Sequence, residues 1–393
     1  MMKQDVEDKL KTLGELARFD TTGIPSLFNP QGYLKHARFI YPAVGFKGSC
    51  VNLFKVLQTN LCQNNCFYCA NRCSRDCRRF TFKPEELANA FLYFYRRRWI
   101  EGLFLTSGIY PDANIAQERM LVTLRLIRGM GFKGYIHTVI LPGVDETLIE
   151  KIGMVSDRLS LNLEAPSQKY LSYLSPNKDF KKELIDGLRK LSFFHKRHPL
   201  KAGLSTQLVV GAADESDKEI LLLSQGLYQD LLLDRVYYSG FTPVEDTPFE
   251  DKPGCPSLRE ARIYQADFLL RHYGFSVEEL VFDKKGNLFK DIDPKLAWAK
   301  QHPQRFPVEI NSADLQGLLR VPGIGRISAK RILALRMTNR ILRLEDLKKL
   351  GVVVSRARNF ITLAGRMYMS PKAKEEPAIA TRKEKQLFLW EEI

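Results

Sequence analysis

The sequence predicts an α/β protein: an open, partial (βα)6 TIM-like barrel followed by a compact all-α domain. Between residues 50 and 273, short β-branched runs alternate with longer helical stretches. Strands alternating with helices imply a parallel sheet joined by right-handed crossovers. Six such units are two short of a closed eight-fold barrel, so the mouth is wide enough for a large substrate. A chain of 393 residues suits two or three domains of roughly 100–200 residues each. With 45% hydrophobic and 27% charged residues it can bury a sizeable core, which excludes wholesale disorder.

Residues 1–49 read as an N-terminal extension with one helix and a loop rich in Gly, Pro and aromatics. Its start, MMKQDVEDKLKTLGEL, is charged and amphipathic without an apolar signal core, so a cytoplasmic protein is expected. The barrel strands are placed at Val51–Leu57, Gly102–Thr106, Gly134–Ile140, Arg158–Leu163, Leu204–Val210 and Val236–Phe241. Helices are placed at Pro84–Arg98, Ala116–Gly129, Lys178–His195, Asp214–Leu231 and Ser257–His272. Pro84 suits a helix first turn, and Pro142-Gly143 signals a turn after the third strand. A link covers 274–307, a helical module 308–369, and a flexible, apolar-poor tail 370–393. Even the leucine-rich stretch Glu219–Leu233 is interrupted far short of the ~20 apolar residues a membrane helix needs, so no membrane partner is expected. Chemistry on such a sheet belongs in loops at the C-terminal ends of the strands.

Five of the seven cysteines, Cys62, Cys66, Cys69, Cys73 and Cys77, fall in one short stretch just after the first strand. In an unexported protein such a cluster points to metal rather than disulfides. Cys62, Cys66 and Cys69 at this spacing can hold three corners of a cubane [4Fe-4S] cluster, leaving one iron open. An open iron can chelate S-adenosylmethionine (SAM) and pass it an electron, generating a 5′-deoxyadenosyl radical. The alternative is a four-thiolate zinc site using Cys62 or Cys66 with Cys69, Cys73 and Cys77. Against zinc stand the position at a strand end that opens a βα series, and the aromatic Tyr68 before the third cysteine. Cys73 and Cys77 continue from Cys69 at intervals of four, which on a helix is one face; they are either ligands of a second metal or, the favoured reading, incidental thiols. His137, on the third strand, is a candidate acid or base, against the commoner reading as a hydrogen-bonded core residue.

The motif Cys-x3-Cys-x2-Cys at the head of six βα units resembles the radical SAM superfamily. The segment LQTNLCQNNCFYCANRC, joined to a C-terminal helix-hairpin-helix, resembles its DNA modification and repair branch, proteins linked to uracil-DNA glycosylase. The resemblance implies a [4Fe-4S] cluster on Cys62, Cys66 and Cys69, and SAM bound near Tyr68. Where the family carries a Gly-Gly-Glu-like turn this chain has Thr106-Ser107-Gly108, which keeps the backbone contact and lacks the carboxylate. Ser107 and Gly108, Asn162 and Glu164 after the fourth strand, and Gly211 in the turn after the fifth are the implied SAM contacts. Asn162 and Glu164 share one face at a period of two. The resemblance also implies a one-electron donor such as flavodoxin or ferredoxin, and a uracil-DNA glycosylase-like partner.

The stretch LQGLLRVPGIGRISAKRIL (Leu315–Leu333) reads as a helix, a Pro-Gly-Ile-Gly turn and a second helix. Glycines there allow close backbone approach, and the free N–H groups of a following helix can meet a phosphate. This resembles the helix-hairpin-helix, which holds DNA by its backbone, with Pro322, Gly323, Gly325, Arg326, Lys330 and Arg331 as contacts. Residues 344–358 read as a degenerate second copy. From Ser312 to Tyr368 twelve Lys/Arg face three acids, a surplus of nine within a chain total of +15. Such a patch fits phosphates, duplex DNA ahead of RNA. A second basic stretch, Arg72, Arg75, Arg78, Arg79 and Arg96–Arg98, either lengthens that track or covers helix ends.

The tail ends in Gln386-Leu387-Phe388-Leu389-Trp390. It is either a fold-back anchor or, resembling a Gln-Leu-x-Leu-Phe peptide, a sliding-clamp ligand through Gln386, Leu387, Leu389 and Trp390. The expected function is a radical SAM enzyme that repairs or modifies a nucleotide in DNA. A radical RNA-modifying enzyme and a non-catalytic DNA-binding protein with a structural cluster are the rivals.

Overall fold

The computed structural model describes residues 4–20, 39–44 and 50–368. They form two compact units: 4–20, 39–44, 50–215 and 226–260 in the first, 216–225 and 261–368 in the second. The tail residues Gln386, Leu387, Leu389 and Trp390 lie outside the described residues.

The first unit is a partial barrel. Helix α1 (Gln4–Leu16) precedes strand β1 (Ile40–Val44), which pairs antiparallel with β2 (Cys50–Leu57). From β2 onward every pairing is parallel: β3 (Gly102–Thr106), β4 (Tyr135–Val139), β5 (Arg158–Ser160), β6 (Leu204–Val210) and β7 (Arg235–Gly240) follow in spatial order. Between them run α2 (Pro84–Arg96), α3 (Ala113–Gly129), α4 (Glu146–Gly153), α5 (Gln168–Leu174) and α6 (Asp186–Arg197); α7 (Asp217–Asp230) follows β6 and α8 (Ser257–Tyr273) follows β7, each divided between the two units. Pro84 opens α2, where a missing N–H costs nothing, and Asp112 caps α3 by accepting from Ile115 N at 2.9 Å.

Side chains alternate across each strand, so register decides what faces inward. Lys55, Phe104, His137 and Arg158 are successive cross-strand partners on one face. Leu103, Ile136, Leu159, Leu204 and Val236 point the other way and are buried. The inner face is thus unusually polar, and several of its polar groups satisfy one another. His137 Nε2 lies 2.8 Å from Ser160 Oγ, and Arg158 donates to Tyr237 Oη at 2.6 Å. Burial and the nearby Arg158 and Lys55 push the His137 pKa well down, which keeps this ring neutral. His137 is therefore a hydrogen-bonded core residue.

The structure differs from the sequence reading in several places. Strand β1 was unmarked, because Pro42 interrupts its run. The strand expected to reach Leu163 ends at Ser160, and beyond it only isolated bonds to β6 continue, such as Leu163 N to Gln207 O at 3.1 Å. Residues 69–77 form turns, not a helix, so Cys69, Cys73 and Cys77 do not share a helical face. The expected all-α module contains a small sheet.

That sheet belongs to the second unit: β8 (Val308–Glu309) pairs parallel with β9 (Ile361–Leu363), and β9 antiparallel with β10 (Arg366–Met367). Before it, within the expected link, α9 (Pro294–Gln301) buries Trp298, whose indole stacks on His302 at 4.6 Å. Two helix–turn–helix pairs follow, α10 (Leu315–Arg320) with α11 (Arg326–Leu335), and α12 (Leu344–Lys349) with α13 (Val354–Ala357). Leu318, Ala329, Ile332, Leu347 and Ala357 are fully buried between them. Among the described residues, no helix is long and apolar enough to cross a membrane.

Candidate functional site

The loop after β2 has almost no regular structure, so side chains must satisfy its backbone. At its base Asn60 Nδ2 donates to Arg78 O at 2.8 Å and Asn60 Oδ1 accepts from Phe80 N at 2.7 Å. The Arg79 guanidinium sits inside and donates to the carbonyls of Arg72 (2.6 Å), Asn60 (2.7 Å), Arg75 (2.9 Å) and Asn71 (3.0 Å). Arg72 donates to Asn65 Oδ1 at 2.8 Å, and Arg75 to Glu245 O at 2.9 Å. Three of the four arginines in this basic stretch therefore fasten the loop. Gly108 closes against it: its N–H donates to Thr59 O at 2.7 Å, and a Cβ there would lie 2.1 Å from Leu61 O. Only glycine fits that approach.

The fastened loop brings Cys62, Cys66 and Cys69 to the wall of a cleft with about 1080 Å³ of empty space, mouth included. The cleft opens at the C-terminal ends of the strands, as the barrel argument requires. Tyr68, Ser107, Gly108, Asn162 and Glu164 line it too. Cys66 is buried with its Sγ 3.1 Å from Ser175 Oγ. Burial pushes the Cys62 and Cys69 thiols up, and for Cys69 the neighbouring Cys66 adds to the effect. Gathering three sulfurs in a shielded wall is unfavourable for thiolates by themselves, and a bound cationic cluster reverses that balance. Gly211 is the exception among the expected contacts. It takes a positive φ (+88°) and turns against Cys255, whose Cβ would be 3.0 Å from an added Cβ, so it is outside the cleft wall.

Two features fit a ligand here. Glu164 Oε2 and Asn71 Oδ1, both on cleft-lining residues, are buried acceptors without a hydrogen-bond partner. Buried acceptors left so cost about 1–3 kcal/mol each, so they suit a ligand that brings N–H or O–H donors. Glu164 also has φ +65°, a left-handed conformation that a non-glycine residue holds only when its surroundings impose it. Burial raises its pKa, and Lys178 opposes this. The amino and hydroxyl groups of SAM meet the requirement, and three thiolates suit iron–sulfur. Cys73 is exposed and neither it nor Cys77 lines the cleft, so the four-thiolate zinc set is not assembled.

Lys178 is the residue that sequence reasoning missed here. It lies just before α6 and lines the cleft. Burial works against its charge, but Cys66, Glu164, Cys69 and Cys62 push its pKa up, so the ammonium stays protonated among the sulfurs. Nothing in the spacing of Ser-Pro-Asn-Lys marks it, since its partners come from other elements.

In the second unit, Pro322 is buried and Gly323 (φ +86°) is pressed to the second hairpin. An added Cβ at Gly323 would be 2.5 Å from Val353 O, and Val353 N donates to Gly323 O at 2.9 Å. Gly351 takes the same conformation (φ +88°) in the second hairpin. Gly325 is the N-cap of α11. Arg326 lies 3.2 Å from His272 Nδ1, while Lys330 and Arg331 are exposed. Of the twelve cations, Arg320 and Arg356 pair with Glu279 and Asp293, and Arg336 donates to Ile310 and Ala313 carbonyls. Lys330, Arg331, Arg340, Arg343, Lys348, Lys349 and Arg366 stand exposed.

No curated protein matches the chain significantly. Among solved structures it is similar to HydG, a maturase of the [FeFe]-hydrogenase (15% identity, 55% of this chain and 48% of that one, TM-score 0.45). It is also similar to methylornithine synthase, PylB (16%, 67% and 66%, 0.44). A third is the radical SAM methyltransferase TsrM from Kitasatospora setae, solved with cobalamin and a [4Fe-4S] cluster (11%, 62% and 51%, 0.39). The chain spans about half to two thirds of the length of these proteins, and likenesses this distant say nothing of its substrate. Residues 56–221, which hold all three cysteines and the strand ends around them, match the model of the Radical SAM superfamily, whose cofactors are a [4Fe-4S] cluster and SAM.

Proposed function

We propose that this protein performs radical chemistry on a nucleotide in DNA, to repair or modify it. The observation that carries the nucleic-acid half is the set of seven exposed cations of the second unit: Lys330, Arg331, Lys348 and Lys349 on the paired hairpins, Arg340 and Arg343 between them and Arg366 on β10. Cations left unpaired on a folded face are an electrostatic footprint for phosphates. The two turns with left-handed glycines at 323 and 351 support a helix-hairpin-helix reading, in which backbone N–H groups at Gly325 and beyond meet a phosphate oxygen. Pro322 and Gly323 shape the turn rather than touch DNA, and Lys330 and Arg331 supply charge.

Cys62, Cys66 and Cys69 would hold the cluster, which together with SAM would supply radical chemistry in the cleft. Glu164 and Asn71 would accept from N–H or O–H donors of SAM, the Lys178 ammonium would offset negative charge at the sulfurs, and Gly108 keeps the floor of the site low. The apolar side chains Leu57, Val139, Ile140 and Leu141 exclude water from the cleft. A base stacked in a duplex cannot reach such a cleft, so the nucleotide is flipped out. A one-electron donor such as flavodoxin or ferredoxin, a uracil-DNA glycosylase-like protein, a sliding clamp gripping the tail and a cytoplasmic location complete the proposal.

The test is anaerobic reconstitution with iron and sulfide, then dithionite and SAM, with 5′-deoxyadenosine measured with and without damaged DNA. Slow cleavage, stimulated by one DNA substrate and lost in Cys62→Ala, Cys66→Ala and Cys69→Ala, is expected. Cleavage that survives in those variants rules out the cluster ligands. Stimulation by RNA but by no DNA favours the RNA-modifying rival.

A further inference from the structure

The segment that leaves α5 is fastened to the cysteine loop. Phe67 N donates to Leu174 O at 2.8 Å, and next in the chain Ser175 Oγ lies 3.1 Å from Cys66 Sγ. The Ser175 backbone ends the helix, its N–H donating to Leu171 O at 2.7 Å, so the cap makes no use of the hydroxyl. Ser175 is 2% exposed. Among the described residues Cys66 Sγ is the one hydrogen-bond partner of its hydroxyl. Burying a hydroxyl is costly unless it is well bonded, and a thiol is a weak partner. A thiolate is a strong one, because an O–H donated to a charged acceptor makes a shorter and tighter bond. Cys66 as a metal ligand is a thiolate, which can only accept, so Ser175 must donate.

Three residues on, Lys178 lines the cleft together with Cys62, Cys66 and Cys69. The turn that places it is closed by its N–H, which donates to Ser175 O at 3.2 Å. Burial works against the Lys178 ammonium, and among the charges that favour it Cys66 comes first, then Glu164, Cys69 and Cys62. One short segment thus brings a hydroxyl to a cluster-binding sulfur and a positive charge to the same wall. Ser175 itself is outside the cleft wall, so it acts through the Cys66 sulfur and not on a ligand in the cleft.

We propose that Ser175 and Lys178 set the reduction potential of the cluster, the serine by donating its O–H to the Cys66 sulfur and the lysine by its charge. This rests on Cys62, Cys66 and Cys69 holding a [4Fe-4S] cluster. Three thiolates bring three negative charges, and one more electron adds a fourth. Hydrogen bonds to the sulfurs and the net charge around them are what a protein uses to tune such a centre. A donor and a cation stabilise the reduced state more than the oxidised one, so both residues raise the potential. Reduction takes one electron from a low-potential one-electron donor and no proton: Ser175 and Lys178 each keep theirs. Ser175 is a positioning residue in this step.

The experiment is an anaerobic, dye-mediated titration of the full, reconstituted chain with dithionite, without SAM, the reduced cluster being followed by electron paramagnetic resonance. Iron and sulfide per chain are measured first in every sample. Ser175→Ala loads like wild type, and its equilibrium constant for one-electron reduction falls about tenfold, which is about 59 mV to lower potential. Ser175→Thr keeps the hydroxyl and stays close to wild type. Lys178→Met falls at least as far as Ser175→Ala, and Lys178→Arg, which keeps the charge, falls less. A merely structural Ser175 would alter loading or stability and leave the potential of the loaded chains where it was. An unchanged potential in Ser175→Ala, or the same fall in Ser175→Thr as in Ser175→Ala, overturns the proposal. If Ser175→Thr or the lysine variants take up no iron, Ser175→Ala decides alone. The cluster reading fails separately and shows in the iron content: a wild type that binds no iron and sulfide, or full loading in Cys66→Ala, removes the cluster itself from this wall.

Discussion

The cysteine loop of the first unit and the paired hairpins of the second both rest on short spacings of special residues, yet opposite forces hold them. The loop has no helix or strand between Leu61 and Phe80 and buries few of its side chains. It is held by side chain to backbone bonds, four of them from one guanidinium, Arg79. The hairpins are held by an apolar core, by Leu318, Ala329, Leu347 and Ala357, and by a backbone bond from Val353 to Gly323. The difference teaches where each is fragile. The loop fails when one polar hub is lost and the rest of the barrel stays folded. The hairpins fail when an atom is added where two backbones touch.

The largest expected effect follows from the hub. Hydrogen bonds from a charged donor contribute about 1.5–3 kcal/mol each, and Arg79→Ala removes four together. After anaerobic reconstitution the variant loses most of its iron, measured as iron and sulfide per chain, while far-ultraviolet circular dichroism stays close to wild type. Arg79→Lys does not restore loading, because an ammonium has three donors and no planar fork. Full iron content in either variant would mean that the loop is held by its cysteines alone.

Next comes Gly323→Ala. It puts a Cβ 2.5 Å from Val353 O at a φ of +86°, so strain and overlap together cost roughly 2–4 kcal/mol. The midpoint of urea unfolding of the second unit falls, and DNA affinity falls with it. Lys330→Ala/Arg331→Ala separates charge from fold on the same hairpin. Both side chains are exposed, so stability is unchanged, while the slope of log affinity against log salt drops by about 2. An unchanged slope would leave the hairpins as a protein-binding module.

How far the sequence reveals the molecule divides along the same line. The strands Gly102–Thr106 and Leu204–Val210 are legible residue for residue, because β-branched and aliphatic runs bounded by turn residues are local signals. The three cysteines and the glycine turns are legible for the same reason. Glu164 is legible as a site residue but not its left-handed backbone, which the neighbouring strand imposes. Arg79 reads as surface charge, Lys178 as the start of a helix and Asp20 as the end of an extension. Their contacts are set by the fold: Arg79 gathers carbonyls 4 to 19 positions away in an irregular loop, and Asp20 meets Asn162 across 142 positions. Helices α4 and α5 escape the reading because they are only eight and seven residues long, although Asp145 and Ser167 stand at their N-caps.

The smallest effect tests the inner face. Burial lowers the Lys55 pKa to about 8, and Asp20 opposes the shift without cancelling it. An unfolded lysine titrates near ~10.4, so between these values the unfolded chain binds more protons at this position than the folded one. Stability attributable to Lys55 therefore rises with pH through that window; below pH 8 the full cost of burying the ammonium is present. The groups facing it are Asp20 and the aromatic Tyr41 and Phe104, with His137, two strands away on β4, kept neutral by burial. Lys55→Met removes the titrating group, so the difference between wild type and variant isolates it from other lysines and tyrosines. From pH 8 to 9 the wild type gains about 1 kcal/mol on the variant in urea unfolding. A difference that stays flat across that range would mean that Lys55 keeps its solution pKa, and that Asp20 screens it far better than the buried geometry implies.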